Sequence, residues 1–180
     1  MLYELTHCWH GTPLHNKMQA DVAIHADHLS FSIQFDQATH CHPDSREGFY
    51  QQELWKYDVG ELFLLNPQTK KYLEINLNVK GAWWVMRFSA IREADDHFDS
   101  LQTQIQVEVA VVDSIAKFLI QRTHLEHLLG CPIQEATFNL TSVSNTSEDL
   151  GKVEYASLNL PTQEVIEPDF HRYDLMVSQF

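Results

Sequence analysis

Side chains that can bind small polar molecules recur at alternate positions in two stretches of the sequence, residues 72–77 and 104–109. Their carboxylate and amide groups exchange hydrogen bonds in fixed directions, and a guanidinium and an indole ring lie between the two stretches. Sugars require such a mixture, because each presents an apolar ring face and a fringe of hydroxyl groups. The candidate residues are Glu74, Asn76, Trp83, Arg87, Gln104, Gln106 and Glu108.

Strand geometry would place these groups on one surface. Apolar residues occupy the odd positions of both stretches, from Leu73 to Leu77 and from Ile105 to Val109. Because successive side chains of a strand point to opposite faces, the odd positions would pack on the core and the even positions would share the other face. The alternative for Gln104, Gln106 and Glu108 is the solvated face of an ordinary antiparallel strand.

The same geometry constrains a tryptophan pair and one glutamate. Adjacent residues of a strand point to opposite faces, so we expect Trp84 in the core and Trp83 beside the polar residues. Glu61 shares its face with apolar residues of its own strand, and a carboxylate in such surroundings needs a partner. We expect Arg87 to be that partner.

Alternating or continuous apolar patterns predict strands through most of the chain. These segments are residues 28–35, 57–65, 72–77, 82–89, 105–111, 138–143 and 152–158, with 115–120 as a further candidate. Thr123 and Glu126 resemble a capping box and Gly130 resembles a helix stop, so 124–129 is the one predicted helix. The predicted fold is all-β: a jelly-roll-like antiparallel β-sandwich of two sheets with one short helix, in a single domain over residues 1–180.

The composition of the chain limits the classes of molecule that the protein is expected to bind. The 180 residues are 44% hydrophobic and carry a formal net charge of -13. Nucleic acids and anionic membranes attract basic surfaces, so we expect neither as a partner. The sequence shows no secretory leader and no membrane-spanning stretch, and its three cysteines lack disulfide spacing. We therefore expect a cytoplasmic protein with reduced thiols, whose oligomeric state the sequence does not indicate.

Ordered motifs between residues 54 and 172 resemble one family. Residues 54–64, LWKYDVGELFL, are similar to the W-x-x-D-x-x-E strand of family 9 carbohydrate-binding modules and of the wider DOMON-like group. Residues 72–84 contain YLEINL and GAWW, which resemble the following hairpin of these domains. FNLT and YAS within 138–157 resemble their late strands, and PDFHR at 168–172 resembles their P-x-F-H-R-P ending.

This resemblance implies a non-catalytic module that binds a carbohydrate or another small polar ligand on the concave face of a sheet. At the matching W-x5-E spacing it assigns Trp55 as an aromatic platform and Glu61 as an acceptor for sugar hydroxyls. The alternative for Trp55 is simple packing. Leu158 stands where a tryptophan is common in the family, and Tyr173 replaces the usual final proline. Family members often hold structural calcium, for which the candidates are Asp58, Asp95 and Asp96.

Three other functions remain open. Some DOMON-like domains bind haem through methionine, histidine or lysine ligands, for which Met86 and His171 are candidates by residue type. Glu61 and Glu74 could form the carboxylate pair of a glycosidase. The sequence has no nucleophile elbow, P-loop or metalloprotease motif, so we expect a binding module rather than an enzyme. A structural or partner-binding domain with a decayed sugar site would account for Leu158.

Overall fold

The structure, a computed structural model, describes residues 1–95, 98, 105–145, 153–161 and 167–180. Strands dominate these ranges. They are β1 Leu2–His7, β2 Pro13–Ile24, β3 His28–Phe35, β4 Val59–Leu65, β5 Tyr72–Leu77, β6 Trp83–Ala90, β7 Glu93–Ala94, β8 Val107–Val112, β9 Ile115–Gln121, β10 Thr137–Asn145 and β11 Val153–Ser157. One α-helix, α1 Arg122–Leu129, and two 3₁₀ turns, Leu54–Lys56 and Ile133–Glu135, accompany them.

The strands form two antiparallel sheets. One has five strands in the order β1-β2-β3-β9-β8, and the other has six in the order β11-β10-β4-β5-β6-β7. The all-β sandwich predicted from the alternation is confirmed, and residues 115–120 do form a strand. Strands β1 and β2 were not predicted. In β2 the buried positions alternate regularly with exposed ones, but Asn16 occupies one of the buried positions and weakens the apolar pattern.

Apolar side chains of both sheets meet between them in the main core. Leu62, Leu64, Leu73 and Ile75 of the six-stranded sheet and Phe31, Ile33, Ala116 and Phe118 of the five-stranded sheet belong to it. Gly60 of β4 lies close to the facing sheet, where an added Cβ would lie 2.7 Å from side-chain atoms of both Ile33 and Met18. A glycine at this position of β4 therefore lets the facing side chains fill the gap.

The expectation that residues 104–108 share a face with Glu74 and Asn76 is wrong. Strand β8 is the edge of the five-stranded sheet, whereas β5 is a central strand of the other sheet. Gln106 and Glu108 are consequently exposed to solvent, and Gln104 lies outside the described residues. Alternation assigned the two faces of β8 correctly, but it contains no information on which sheet a strand joins.

The predicted helix is present and begins two residues earlier than expected. Gly130, in the left-handed conformation at φ 75°, ends it as predicted. The capping box is wrong, because no side chain caps the first turn. Glu126 instead accepts hydrogen bonds from Arg122 Nε at 2.8 Å and from the Ile133 backbone N–H at 3.0 Å. Among the described residues, no helix is long and apolar enough to cross a membrane.

The outer face of the six-stranded sheet is partly covered as well. A second apolar cluster joins side chains of this face to Leu54 of the first 3₁₀ turn, to Trp9, and to Phe170, Leu175 and Met176 near the C-terminus. These segments stand around the sheet and leave a recess between them. The polar residues of β4 and β5 lie on its floor.

Candidate ligand-binding site

Strand register brings five polar or aromatic side chains together on this outer face. Glu61 of β4 pairs in register with Asn76 of β5 on one side and with Thr141 of β10 on the other. Asn76 in turn pairs with Trp84 of β6. Glu74 is two residues from Asn76 on β5 and therefore points the same way. Alternation across four adjacent strands thus builds one polar and aromatic surface.

That surface is the floor of a cavity of about 710 Å³, a volume typical of small-molecule sites. Its walls come from the 3₁₀ turn, the β6–β7 hairpin, β10, β11 and the C-terminal segment. The lining residues are Trp55, Glu61, Phe63, Glu74, Trp84, Met86, Phe88, Arg92, Ala94, Val143, Tyr155, Glu167, Pro168, Phe170 and His171.

Two tryptophans form the aromatic part of this site. The rings of Trp55 and Trp84 meet edge to face, with their centroids 5.0 Å apart. Trp84 is 6% exposed and fixed in the sheet, whereas Trp55, on the 3₁₀ turn, is 40% exposed. An edge-to-face pair of this kind presents a fixed inner ring and an accessible outer ring to a ligand.

The expectation that Trp83 faces the ligand and Trp84 faces the core is wrong. Trp83 packs in the core, and Trp84 lines the cavity. Trp83 belongs to the main core, where its ring packs edge to face on Phe118 and on Tyr50. Its indole N–H donates to the Gly48 carbonyl at 3.1 Å, so its polar atom is satisfied away from the cavity. The hairpin register decides this outcome, because Leu77 of the core face pairs with Trp83.

Both predicted glutamates lie in the cavity and are almost fully buried, at 3% exposed for Glu61 and 5% for Glu74. Glu61 Oε2 accepts a hydrogen bond from the Thr141 hydroxyl at 2.6 Å, and Glu74 Oε1 accepts one from Asn76 Nδ2 at 3.0 Å. Burial raises the pKa of Glu61 to about 7, against the opposing effect of the Thr141 hydrogen bond. Burial, with the nearby charge of Glu61, raises the pKa of Glu74 well above its usual value.

A histidine and a tyrosine support Glu74 from the side. The Arg92 backbone N–H donates to Tyr72 Oη at 3.1 Å, and that hydroxyl lies 2.7 Å from His171 Nδ1. Burial lowers the pKa of His171 to about 4, so the ring is neutral near pH 7. If the tyrosine donates to Nδ1, the ring proton is on Nε2, which lies 3.6 Å from Glu74 Oε2. In that tautomer His171 directs an N–H towards the carboxyl group from just beyond hydrogen-bonding distance.

Arg87 does not pair with Glu61, and this expectation is wrong. It stands opposite Leu73 in register and so points to the other face of the sheet. Its Nε donates to Asp95 Oδ2 at 2.9 Å, and its guanidinium lies 5.4 Å from the centre of the Phe98 ring. The arginine that lines the cavity is Arg92, which pairs with Asp169 at 2.9 Å.

The two calcium candidates that lie among the described residues, Asp58 and Asp95, have protein partners of their own. Asp58 is buried and accepts backbone N–H groups at both oxygens, from His40 at 2.7 Å and from Asn145 at 2.6 Å. It therefore joins two loops, while Asp95 pairs with Arg87. Asp96 lies outside the described residues. In the described part of the chain no group of three histidine, cysteine or acidic side chains could hold a metal ion.

Several lining residues were missed by the sequence reasoning. The positions of Trp84, Met86 and Phe88 on the outer face are set by the register of the β5–β6 hairpin. That register could have been derived from the sequence by counting residues on either side of a short turn at Gly81. Tyr155 and Phe170 come from segments far away in sequence and had no local signal. Leu158 packs against the main core, away from the cavity-lining residues. Tyr173 contacts Tyr72 edge to face at 6.3 Å.

Comparison with solved structures identifies similar folds. A presumed carbohydrate-binding protein from Bacteroides uniformis superimposes with a TM-score of 0.62 at 9% identity, over 98% of this chain and 84% of that one. A family 9 carbohydrate-binding module from Caldicellulosiruptor kristjanssonii, solved with cellotriose, gives a TM-score of 0.46 at 9% identity, over 82% of this chain and 68% of that one. Neither is described as a DOMON domain.

No protein-family model and no curated protein sequence matches this chain. At 9% identity the likeness to the Bacteroides uniformis protein is one of fold. The chain is a two-sheet β-sandwich similar to that carbohydrate-binding protein, as the resemblance to family 9 modules led us to expect.

Proposed function

We propose that this protein is a non-catalytic module that binds a saccharide in the cavity over the outer face of the six-stranded sheet. The observation that carries the proposal is the pairing of Trp55 and Trp84 beside the buried carboxyl groups of Glu61 and Glu74. The rings supply a surface for the apolar face of a sugar, and the carboxyl groups and Asn76 supply directional partners for its hydroxyls.

The dimensions of the site support a ligand of one to three sugar rings. A cavity of about 710 Å³ lies in the middle of the range for small-molecule sites and is lined by both aromatic and polar side chains. The fold is shared with a protein presumed to bind carbohydrate. Of the residues expected to contact the ligand, Trp55, Glu61 and Glu74 line the cavity and Asn76 adjoins them. Trp84 takes the place of Trp83, and neither Arg87 nor Gln106 belongs to the set.

Haem is a weaker candidate, although both proposed ligands line the same cavity. His171 Nδ1 is engaged by the Tyr72 hydroxyl, and its Nε2 is directed towards Glu74. Ligation of iron would require one of these contacts to break. We therefore expect no Soret band when haem is added to the purified protein.

The saccharide proposal is tested by titrating neutral and amino mono-, di- and trisaccharides, cellotriose included, while intrinsic tryptophan fluorescence and melting temperature are recorded. We expect at least one sugar to change both signals. Trp84→Phe should reduce the fluorescence change, because under this proposal the ring of Trp84 contacts the ligand, and Trp55 supplies the remaining signal. Trp83→Phe is the matched control and should keep the change, since Trp83 is packed in the core.

Trp55→Ala should weaken binding by about tenfold, and Phe49→Ala should not, although Phe49 is also an exposed ring. The proposal is contradicted if no sugar in the panel alters fluorescence or melting temperature. It is equally contradicted if Trp83→Phe abolishes the response and Trp84→Phe retains it in full.

A further inference from the structure

The cavity contains more acidic than basic groups. Three carboxylic side chains line it, those of Glu61, Glu74 and Glu167, and Arg92 is the one lysine or arginine among the described lining residues. The Arg92 guanidinium is 60% exposed and bound to Asp169 at 2.9 Å. It therefore lies towards the rim and has its own partner, while the two buried carboxyl groups lie on the floor.

An acceptor that nothing in the described structure satisfies lies next to the lining residues Glu61 and Glu74. Asn76 is 0% exposed, and its Oδ1 has no hydrogen-bond partner among the described residues, while its Nδ2 donates to Glu74. Glu61 accepts one hydrogen bond, from Thr141 to Oε2, and no described residue donates to its other oxygen. A buried acceptor such as Asn76 Oδ1 requires a donor, because leaving it unpaired is costly. A ligand with several N–H donors at one atom would satisfy both residues.

The remaining walls suit a cation rather than an anion. The faces of Trp and other aromatic rings attract positive charge, and rings from Trp55, Trp84, Phe88, Tyr155 and Phe170 stand around the two carboxyl groups. An ammonium group has three donors and no acceptor, which matches a floor that offers acceptors.

We propose that the ligand carries a free amine, so that the saccharide bound here is an amino sugar whose ammonium group sits between Glu61, Glu74 and Asn76. This inference rests on the proposed saccharide-binding function and specifies its ligand class. Without ligand, the raised pKa values of both glutamates mean that the pair holds protons near neutral pH. Binding of the ammonium group releases the proton of Glu61 to solvent and leaves that carboxylate ionised beside the ammonium group.

Displacement of a proton makes the affinity depend on pH. Glu61, with its pKa of about 7, loses an increasing share of its proton as the pH rises from 5.5 to 7.0, so an amine should bind more tightly by several-fold to tenfold while a neutral sugar should not. The other titratable or charged groups at the cavity are Tyr72, Arg92, Tyr155, Glu167, Asp169 and His171. His171, with its pKa of about 4, remains neutral over this interval.

The test is isothermal titration calorimetry with matched pairs: glucose and glucosamine, galactose and galactosamine, and cellobiose and fully deacetylated chitobiose, with N-acetylglucosamine as the acylated control. At pH 7.0 we expect at least one amino sugar to bind tenfold or more tightly than its neutral partner, and N-acetylation to remove the gain. Glu61→Gln should reduce the preference to about twofold and flatten its pH dependence. Glu108→Gln, on exposed β8, should leave both unchanged.

The two proposals fail in different ways. Neutral sugars that bind as tightly as their amino partners would overturn the amine inference and leave the saccharide site intact. An absence of binding for every member of both series would overturn both. A preference for the amine that persists in Glu61→Gln would also overturn the inference, because the ammonium group would then be recognised elsewhere.

Discussion

Strands β5 and β8 both carry a glutamate between two apolar residues, yet only the glutamate of β5 is buried. Every residue of β5 is buried, including Glu74 and Asn76, whereas Glu108 on β8 is exposed and Val107 and Val109 are half-buried. The difference lies in position. β5 has a neighbour on each side and covering segments above it, and β8 is a sheet edge with solvent on its outer face.

This contrast shows what makes a polar residue a site residue in this fold. A glutamate on a solvated edge strand keeps its hydration and needs no partner. A glutamate covered by aromatic side chains, such as Glu74, loses its hydration, and its pKa rises. Its oxygens then need hydrogen-bond donors, which a ligand can supply. Matched substitutions on the two strands can therefore separate structural from functional roles.

The largest difference between β5 and β8 should be the loss of stability when an apolar side chain is truncated. Ile75→Ala removes a fully buried side chain from the centre of the main core and should lower the free energy of unfolding by about 3 to 4 kcal/mol. Val109→Ala on β8 should cost about 1 kcal/mol or less, because that side chain is half-buried. Urea unfolding of both variants measures this. Equal losses would mean that β8 is packed as firmly as β5.

The next largest effect should be a stability change that depends on pH. Folding raises the pKa of Glu61 from 4.5 to about 7 through burial, so the folded state retains a proton that the unfolded state has lost between these values. The contribution of Glu61 to the free energy of unfolding is fully present below pH 4.5 and is lost as the pH rises through 7. The loss by pH 8 is on the order of 3 kcal/mol.

Glu61→Gln removes this loss. The variant should match the wild-type protein within about 1 kcal/mol at pH 5 and exceed it by about 2 to 3 kcal/mol at pH 8, measured by urea unfolding at both pH values. Glu108→Gln is the control and should show no such pH-dependent difference, since its side chain is exposed. A Glu61→Gln variant that is equally or less stable than the wild type at pH 8 would contradict the burial of an unpaired carboxyl group.

Sequence reasoning went further with the fold than with the site. Alternation predicted β3 and the strands from β4 to β11 except the two-residue β7, because strand faces are a local property of the chain. The site needed information that alternation lacks: the sheet that β8 joins, and the register that sets Trp84 rather than Trp83 beside Asn76. The family motifs directed attention to Trp55 and Glu61, and both line the cavity.

The pairing of Arg87 failed for the same reason. Arg87 was expected to join the polar face from a hairpin strand and to pair with Glu61, but it points to the opposite face and binds Asp95. Glu61 is left with a hydroxyl from Thr141 on β10, a strand 80 residues away. Partners brought together by non-local strand pairing have no signature in a single sequence.

The central claim, a saccharide site over the outer face of the six-stranded sheet, is tested most directly by a crystal structure with the tightest-binding sugar of the panel. We predict a sugar ring packed against Trp55 or Trp84, with at least one of its polar groups within about 3.2 Å of a Glu61 or Glu74 oxygen. Sugar density at another surface, with this cavity empty at saturating ligand, would contradict the account.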